Sequence, residues 1–287
     1  MFKFLLYKLG QFLVNFLPPQ TAYTIAQFIS DMQCRFSFRD RRAVYNNLSV
    51  IVDSQANLDT LTRDVFRNFG IYLTDFFRMR KMVNQEFFKK RVRLHDLSYI
   101  DDVLKEGRGG ILLTAHIGNW ELGGVMTAMQ GYSIMAVALP HKERPVNDLF
   151  NHQREVKGIT IVPIKYAVRR CMETLKKNEL VALVADRDFN MQGELLPFLG
   201  RKAIIPRGPA VLSLRTGAPI IPAFCIRSAD GTFDLTMCEP IRPPQDKIGS
   251  DHPRDMIELT GRYLPIVESY IKKYPSQWLM FRKFWVE

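Results

Sequence analysis

The stretch "TAHIGNWELGG", residues 114–124, places a histidine directly after an apolar run and a glutamate five positions later. A histidine titrates near neutrality and can take a proton from a hydroxyl, and a carboxylate bonded to its other ring nitrogen fixes the tautomer that does so. His116 and Glu121 are therefore candidates for a general base and its orienting partner. Along one continuous helix five residues set two side chains about 140° apart, so this pair can meet only if the chain turns between them. Gly118 and Asn119 supply such a turn, with Asn119 as the N-cap of a helix beginning at Trp120. A glutamate in a first helical turn is also favoured by the helix dipole alone, so H-x4-E is weak as an isolated signal. Its placement adds weight. "GGILLTA" reads as a buried strand, which puts His116 at a strand's carboxyl end, where open α/β sheets hold their ligands.

A base of this kind needs no nucleophile on the enzyme, because it activates an acceptor alcohol directly. The G-x-S-x-G elbow of a serine hydrolase is absent, as are the phosphate-loop and dinucleotide fingerprints. Cys34, Cys171, Cys225 and Cys238 form no C-x-x-C pair and have no histidine near them at zinc-ligand spacing. Neither a metal site nor a disulfide framework is expected, and the cysteines read as small buried hydrophobes.

The elements that must position this chemistry follow from the texture of the chain. Residues 1–95 read as mostly helical, whereas from about residue 108 short apolar runs alternate with helical patterns. "GGILLTA", "SIMAVAL", "ITIVPI" and "LVALVAD" are strands, separated by helices over about 120–129, 145–157 and 168–177. That alternation predicts an α/β fold with a mostly parallel central sheet flanked by helices. "PIIPAFCIR" and "TFDLTMCEPI" around the turn "SADG" predict a hairpin, followed by a long amphipathic helix over about 253–274 and an aromatic tail, "WLMFRKFW". The expected organisation is a helical, membrane-associating segment (1–95) on one α/β domain (96–287).

The chain carries 40 Lys and Arg against 29 Asp and Glu, a net charge of +11, which calls for an anionic partner. The opening segment "MFKFLLYKLGQFLVNFLPP" is too short to span a bilayer, and Lys8, Gln11 and Asn15 interrupt it on one helical face. Leu5, Leu6, Leu9, Phe12, Leu13 and Phe16 occupy the other, so an amphipathic helix stopped by Pro18 and Pro19 is expected. Its apolar face suits a groove on its own domain or the headgroup boundary of a membrane. Basic runs (Arg35, Arg39, Arg41, Arg42, then Arg78 to Arg93) favour the membrane, since each cation near an anionic surface adds about 1 kcal/mol. Aromatic pairs among these charges also fit a nucleic-acid-binding face, the rival reading from outside enzymes.

"AHIGNWE" after a glycine-led strand resembles the lipid A biosynthesis acyltransferases, the lauroyl and myristoyl transferases of the wider lysophospholipid acyltransferase superfamily. "ERPVNDLFNHQREVKGITIVPI" is similar to that family's R-x-x-N…R…G…I segment. "VADRDFNMQGELLPFLGRKAIIPRGPAVLSLRTGAPIIPAF" resembles its acidic-Arg turn, F-x-G segment and small-residue helix, and "YPSQWLMFRKF" its closing element. The likeness covers about residues 105–285. It implies transfer of a fatty acyl group from an acyl-carrier-protein or coenzyme A thioester, with no further cofactor, to a hydroxyl of a lipid A precursor. It also implies a peripheral or monotopic enzyme on the cytoplasmic face of the inner membrane, whose partners are an acyl carrier protein, the lipid acceptor and an anionic membrane surface, not nucleic acid. His116 would be the base and Glu121 its partner, with Asn119, Arg154, Asp186, Arg187, Asp188 and Arg207 placing the substrates. The glycerophosphate branch carries Asp in place of Glu and an F-P-E-G-T-R segment, which this chain lacks. That difference favours the lipid A branch or its phosphatidylinositol mannoside relatives, and a lysophospholipid is the further alternative acceptor.

Overall fold

A computed structural model of the 287-residue protein describes residues 2–53, 55–188 and 193–286. Five helices come first: α1 (Phe2–Phe16), α2 (Pro19–Phe36), α3 (Phe38–Ile51), α4 (Leu58–Met82) and α5 (Gln85–Arg91). Strands and helices then alternate through β1 (Val92–His95), α6 (Ser98–Lys105), β2 (Gly110–Thr114), α7 (Trp120–Ala128), β3 (Ile134–Ala138), α8 (Arg144–Glu155), β4 (Ile159–Pro163), α9 (Ala167–Lys176) and β5 (Leu180–Val184). After these come β6 (Glu194–Phe198), β7 (Arg201–Ile205), α10 (Gly208–Thr216), β8 (Ile220–Arg227), β9 (Phe233–Met237) and α11 (Pro253–Lys273).

Seven strands make one sheet in the order β1-β9-β8-β2-β5-β3-β4, in which every neighbouring pair is parallel except β8 and β9. The expected mostly parallel α/β sheet is thus observed, and its central strands are apolar on both faces because helices cover both. Ile111, Leu113 and Val181 pack toward α9, α10 and α11, whereas Leu112, Ile134 and Leu180 pack toward α4, α6, α7 and α8. Two elements were not expected. β1 lies inside the basic run "KKRVRLH", at the end of the segment 1–95 expected to be helical, and pairs with β9 at the sheet edge. β6 and β7 form a separate antiparallel hairpin whose two turn residues, Leu199 and Gly200, both have positive φ (50° and 82°). Such turns normally signal themselves with Asn-Gly; here burial of Leu199 in the core holds the strained residue in place.

The helical layer explains much of the basic sequence. Asn15 on α1 donates to the Phe77 carbonyl (3.0 Å), Arg78 on α4 donates to the carbonyls of Val14 and Leu17, and Lys81 reaches Asn15 O. These cations satisfy the orphan carbonyls at the carboxyl end of α1. The face of α1 carrying Phe4, Tyr7, Val14 and Asn15 is therefore turned toward α4 and α8, while Lys8 and the larger apolar residues Leu5, Leu6, Leu9, Phe12, Leu13 and Phe16 are exposed. Ile25, Phe28, Ile29, Met32 and Phe36 of α2 are exposed as well. Among the described residues no helix is long and apolar enough to cross a membrane. Cys34, Cys171 and Cys225 are buried and Cys238 half-buried, as the sequence suggested.

One turn places the functional loop. Gly118 has φ +62°, and a Cβ there would lie 2.1 Å from the Cys225 carbonyl oxygen on β8. Gly131 also has positive φ (+96°) but open space around it. Gly118→Ala is expected to cost about 2–4 kcal/mol, against about 1 kcal/mol for Gly131→Ala, in urea unfolding followed by circular dichroism.

Candidate active site

β2 and β5 are adjacent parallel strands in register from Gly110↔Leu180 to Thr114↔Val184. Continuing that register by two residues sets His116 beside Asp186. The chain leaves β2 through α7 on one face of the sheet and leaves β5 toward α10 on the other. Divergent connections from neighbouring strands open a crevice beyond their carboxyl ends, the usual ligand position in such sheets.

Here the structure corrects the expected pairing. The His116 ring offers Nδ1 to Asp186 Oδ1 at 2.6 Å, and the His116 backbone N–H donates to Asp186 Oδ2 at 3.0 Å. The Trp278 indole N–H also donates to Oδ2, at 2.9 Å. Glu121 instead takes both hydrogen bonds of a bidentate ion pair with Arg154, at 2.5 and 2.9 Å. The physical reason is the cap. Asn119 Oδ1 accepts from Leu122 N (3.1 Å), so α7 begins at Trp120 as expected, and its first turn aims Glu121 at α8. The turn at Gly118 and Asn119 exists, but it does not bring Glu121 back to the imidazole.

Asp186 is fully buried. Burial pushes its carboxyl up, but the charge and hydrogen bonds of His116 and the Trp278 indole outweigh that, and the net shift is below the ordinary value. Asp186 is therefore an acceptor at neutral pH, so His116 Nδ1 carries the proton and Nε2 is left for a substrate. Trp120 stands edge-on to the His116 ring at 5.0 Å and stacks on Tyr72 at 4.6 Å, which restricts how the imidazole can tilt.

His116 lines a cavity of about 1990 Å³ together with Glu121, Arg154, Arg187, Asp188 and Arg207. Ile134, Ala136 and Ala138 of β3, Ile159 and Ile161 of β4, and Ala182 and Val184 of β5 add an apolar wall from alternate positions of the strands. With about 3.3 Å per residue, the β3 part of that wall is about 13 Å long. Arg207 precedes α10 and makes an exposed ion pair with Glu194 (3.4 Å). Burial lowers the Arg187 guanidinium pKa, and the charge of Arg282 adds to the effect while Asp186 opposes it. Two of the anticipated substrate contacts, Asn119 and Asp186, do not line the cavity: Asp186 is buried behind the imidazole, and Asn119 is buried with its oxygen capping α7 and its amide donating to Asp75 (3.3 Å). Residues 189–192 of the expected acidic-Arg segment lie outside the described residues.

The end of "LVALVAD" at the sheet edge that carries His116 already places Asp186 beside the histidine in the sequence, and the in-register pairing of β2 with β5 does bring them together. Asp186's role as the histidine's partner, and Trp278 altogether, escaped sequence reasoning. No comparable pattern marks Trp278, which arrives from the tail as Leu279 N donates to His116 O (2.7 Å) and Gly118 N to Gln277 O (3.0 Å).

Asp186→Asn tests the dyad. Two N–H groups converge on Oδ2, so the new amide must turn its NH₂ toward His116 Nδ1 and enforce the wrong tautomer. Turnover is expected to fall by about 10³-fold or more with little change in KM.

Residues 1–287 match the family described as bacterial lipid A biosynthesis acyltransferase. A phosphatidylinositol mannoside acyltransferase of Mycolicibacterium smegmatis (strain ATCC 700084 / mc(2)155) is 26% identical over 232 residues, 79% of this chain and 73% of that protein. The protein of the same description from Mycobacterium tuberculosis (strain CDC 1551 / Oshkosh) is 28% identical over 172 residues, 58% of this chain and 54% of its own length. A solved structure, the 1-acyl-sn-glycerophosphate (LPA) acyltransferase PlsC from Thermotoga maritima, aligns with a TM-score of 0.40 at 13% identity, covering 87% of this chain and 98% of that one. With the match running the length of the chain, the protein belongs to the bacterial lipid A biosynthesis acyltransferase family and is an acyltransferase.

Proposed function

We propose that the protein moves a fatty acyl chain from an acyl-carrier-protein or coenzyme A thioester to a hydroxyl of a membrane glycolipid. A lipid A precursor is the acceptor in the primary reading. The observation that carries it is the His116–Asp186 pair set in the wall of a cavity that is apolar along the strands and rich in cations elsewhere. His116 Nε2 takes the proton of the acceptor hydroxyl as its oxygen attacks the thioester carbonyl. Asp186 stabilises the imidazolium that forms. Collapse of the tetrahedral intermediate breaks the C–S bond, and the imidazolium returns the proton to the departing thiolate, leaving an ester and a free thiol. No covalent acyl-enzyme is required.

The fatty chain suits the wall built by Ile134, Ala136, Ile159, Ile161 and Ala182, where strand backbones are already paired and only apolar side chains face the cavity. Arg39, Arg42, Arg187, Arg207, Arg282 and Lys283 line the same cavity, which favours substrates bearing phosphate. The exposed Leu and Phe of α1 and α2 support a position at the headgroup boundary of a membrane, with the helices lying in the interface. The 26% and 28% identical relatives favour a second reading, in which the acceptor is a phosphatidylinositol mannoside.

The test uses lauroyl, myristoyl and palmitoyl donors on both carriers, with a tetra-acylated lipid A precursor or a phosphatidylinositol mannoside in detergent, read by mass spectrometry. One acceptor is expected to gain a single acyl mass, and His116→Ala to lose at least about 10²-fold in rate. An undiminished rate in that variant would remove His116 as the base, and the absence of product with either acceptor would contradict the proposal.

A further inference from the structure

A second buried carboxylate lies near the catalytic loop and takes no part in the proton transfer. Asp75 projects from the middle of α4 and is 1% exposed. Tyr23 on α2 donates its hydroxyl to Asp75 Oδ1 (2.5 Å), while Asn119 Nδ2 and Arg227 Nη1 donate to Oδ2 (3.3 Å each). The Arg227 guanidinium also sits 4.7 Å from the centroid of the Tyr23 ring and 5.4 Å from that of Phe233. Burial raises the carboxyl, opposed by Arg227, Tyr23 and Asn119. A carboxyl in such a place costs free energy unless its partners are all present, so the position demands an explanation.

The explanation lies in the Asn119 amide. An asparagine can present either its oxygen or its nitrogen to the end of a helix, and only the oxygen can cap. Asp75 accepts the nitrogen, which leaves the oxygen for Leu122 N. The same circuit closes through the backbone. Asn119 N donates to Cys225 O (2.8 Å), Gln277 pairs its side-chain amide with both backbone groups of Arg227 (2.8 and 3.1 Å), and Gln277 O accepts from Gly118 N. Residues 116–119 are thus held by Asp186 and Trp278 on one side and by the Asp75 cluster on the other. The start of α7 in turn sets Trp120 against His116 and Glu121 against Arg154.

We infer that Tyr23 and Asp75 are positioning residues for acyl transfer, fixing the Asn119 cap so that the helical layer of α2 and α4 sets the geometry of the His116 loop. The inference rests on His116 acting as the base. It ties catalysis to α2, the helix whose outer face exposes Ile25, Phe28, Ile29 and Phe36.

Tyr23→Phe removes one hydroxyl without changing the packing, and Asp75→Asn removes the charge but risks misfolding by leaving Arg227 unpaired. The control is Arg67→Ala, which breaks the bidentate Arg67–Asp31 pair (2.7 Å) that also links α4 to α2. For Tyr23→Phe, kcat should fall about tenfold with KM within about twofold, the loss expected of a loop displaced by a fraction of an ångström. Amide exchange over residues 116–122, read by mass spectrometry, should accelerate in the same variant. Arg67→Ala should lower the melting temperature and leave kcat and that exchange unchanged. Unaltered kcat and exchange in Tyr23→Phe, or equal changes in Arg67→Ala, would overturn the inference. If the wild type transfers no acyl group, the acyl-transfer reading fails on that result, and the exchange data alone decide the role of the cap.

Discussion

A carboxylate removed from water must be met by donors on each oxygen, and Asp186 satisfies that demand with three N–H groups from two distant parts of the chain. This single requirement organises the site. The imidazole of His116 can occupy its position only while β2 and β5 keep their register, because the two residues are reached by equal extensions of paired strands. The indole of Trp278 can do so only while the tail from Gln277 to Leu279 runs along residues 116–118. Sheet, loop and tail therefore share one set of hydrogen bonds. Removing any donor leaves the others with a buried charge, which is far costlier than the loss of one exposed bond.

The division of labour between the two acidic residues follows from where each begins. Asp186 leaves a strand at the sheet's carboxyl edge and is desolvated completely. Glu121 starts a helix on the other side of the turn and meets a guanidinium that matches it in a two-pronged geometry. An orienting carboxylate gains from rigidity and burial, whereas one held by Arg154 in the cavity wall contributes charge and shape at the surface a substrate touches. The motif spacing that joins His116 to Glu121 thus reflects a shared turn, with Gly118 and Asn119 doing for the loop what a hydrogen bond between the two was expected to do.

The sheet's central strands were legible because each is a short apolar run bounded by polar residues, and "GILLT", "IMAVA", "ITIVP" and "LVALV" all lie where that pattern puts them. The hairpin of β8 and β9 announced itself through "SADG". The hairpin of β6 and β7 did not, since a buried leucine occupies a turn position that asparagine usually marks. β1 was hidden by the cations in and before it, two of which (Arg91 at the end of α5 and Arg93 in β1) reach Asp230. At the site, His116 was legible from its placement after a strand. Its partner was sought nearby in sequence, although parallel pairing brings together residues 70 positions apart as readily as five. Asn119 was expected among the substrate contacts on the resemblance alone; its oxygen caps α7, and Asp75, far off in α4, claims its amide.

If Asp186, and not Glu121, sets the proton on His116, the tautomer of the ring records it. Nitrogen-15 NMR of the histidine-labelled protein reads this directly, since protonated and bare ring nitrogens differ widely in chemical shift. An Nδ1–H tautomer is expected for His116, with a strongly deshielded proton that survives Glu121→Gln and is lost in Asp186→Asn. An Nε2–H tautomer in the wild type, or an Nδ1–H signal that disappears with Glu121→Gln and persists in Asp186→Asn, would contradict that role of Asp186.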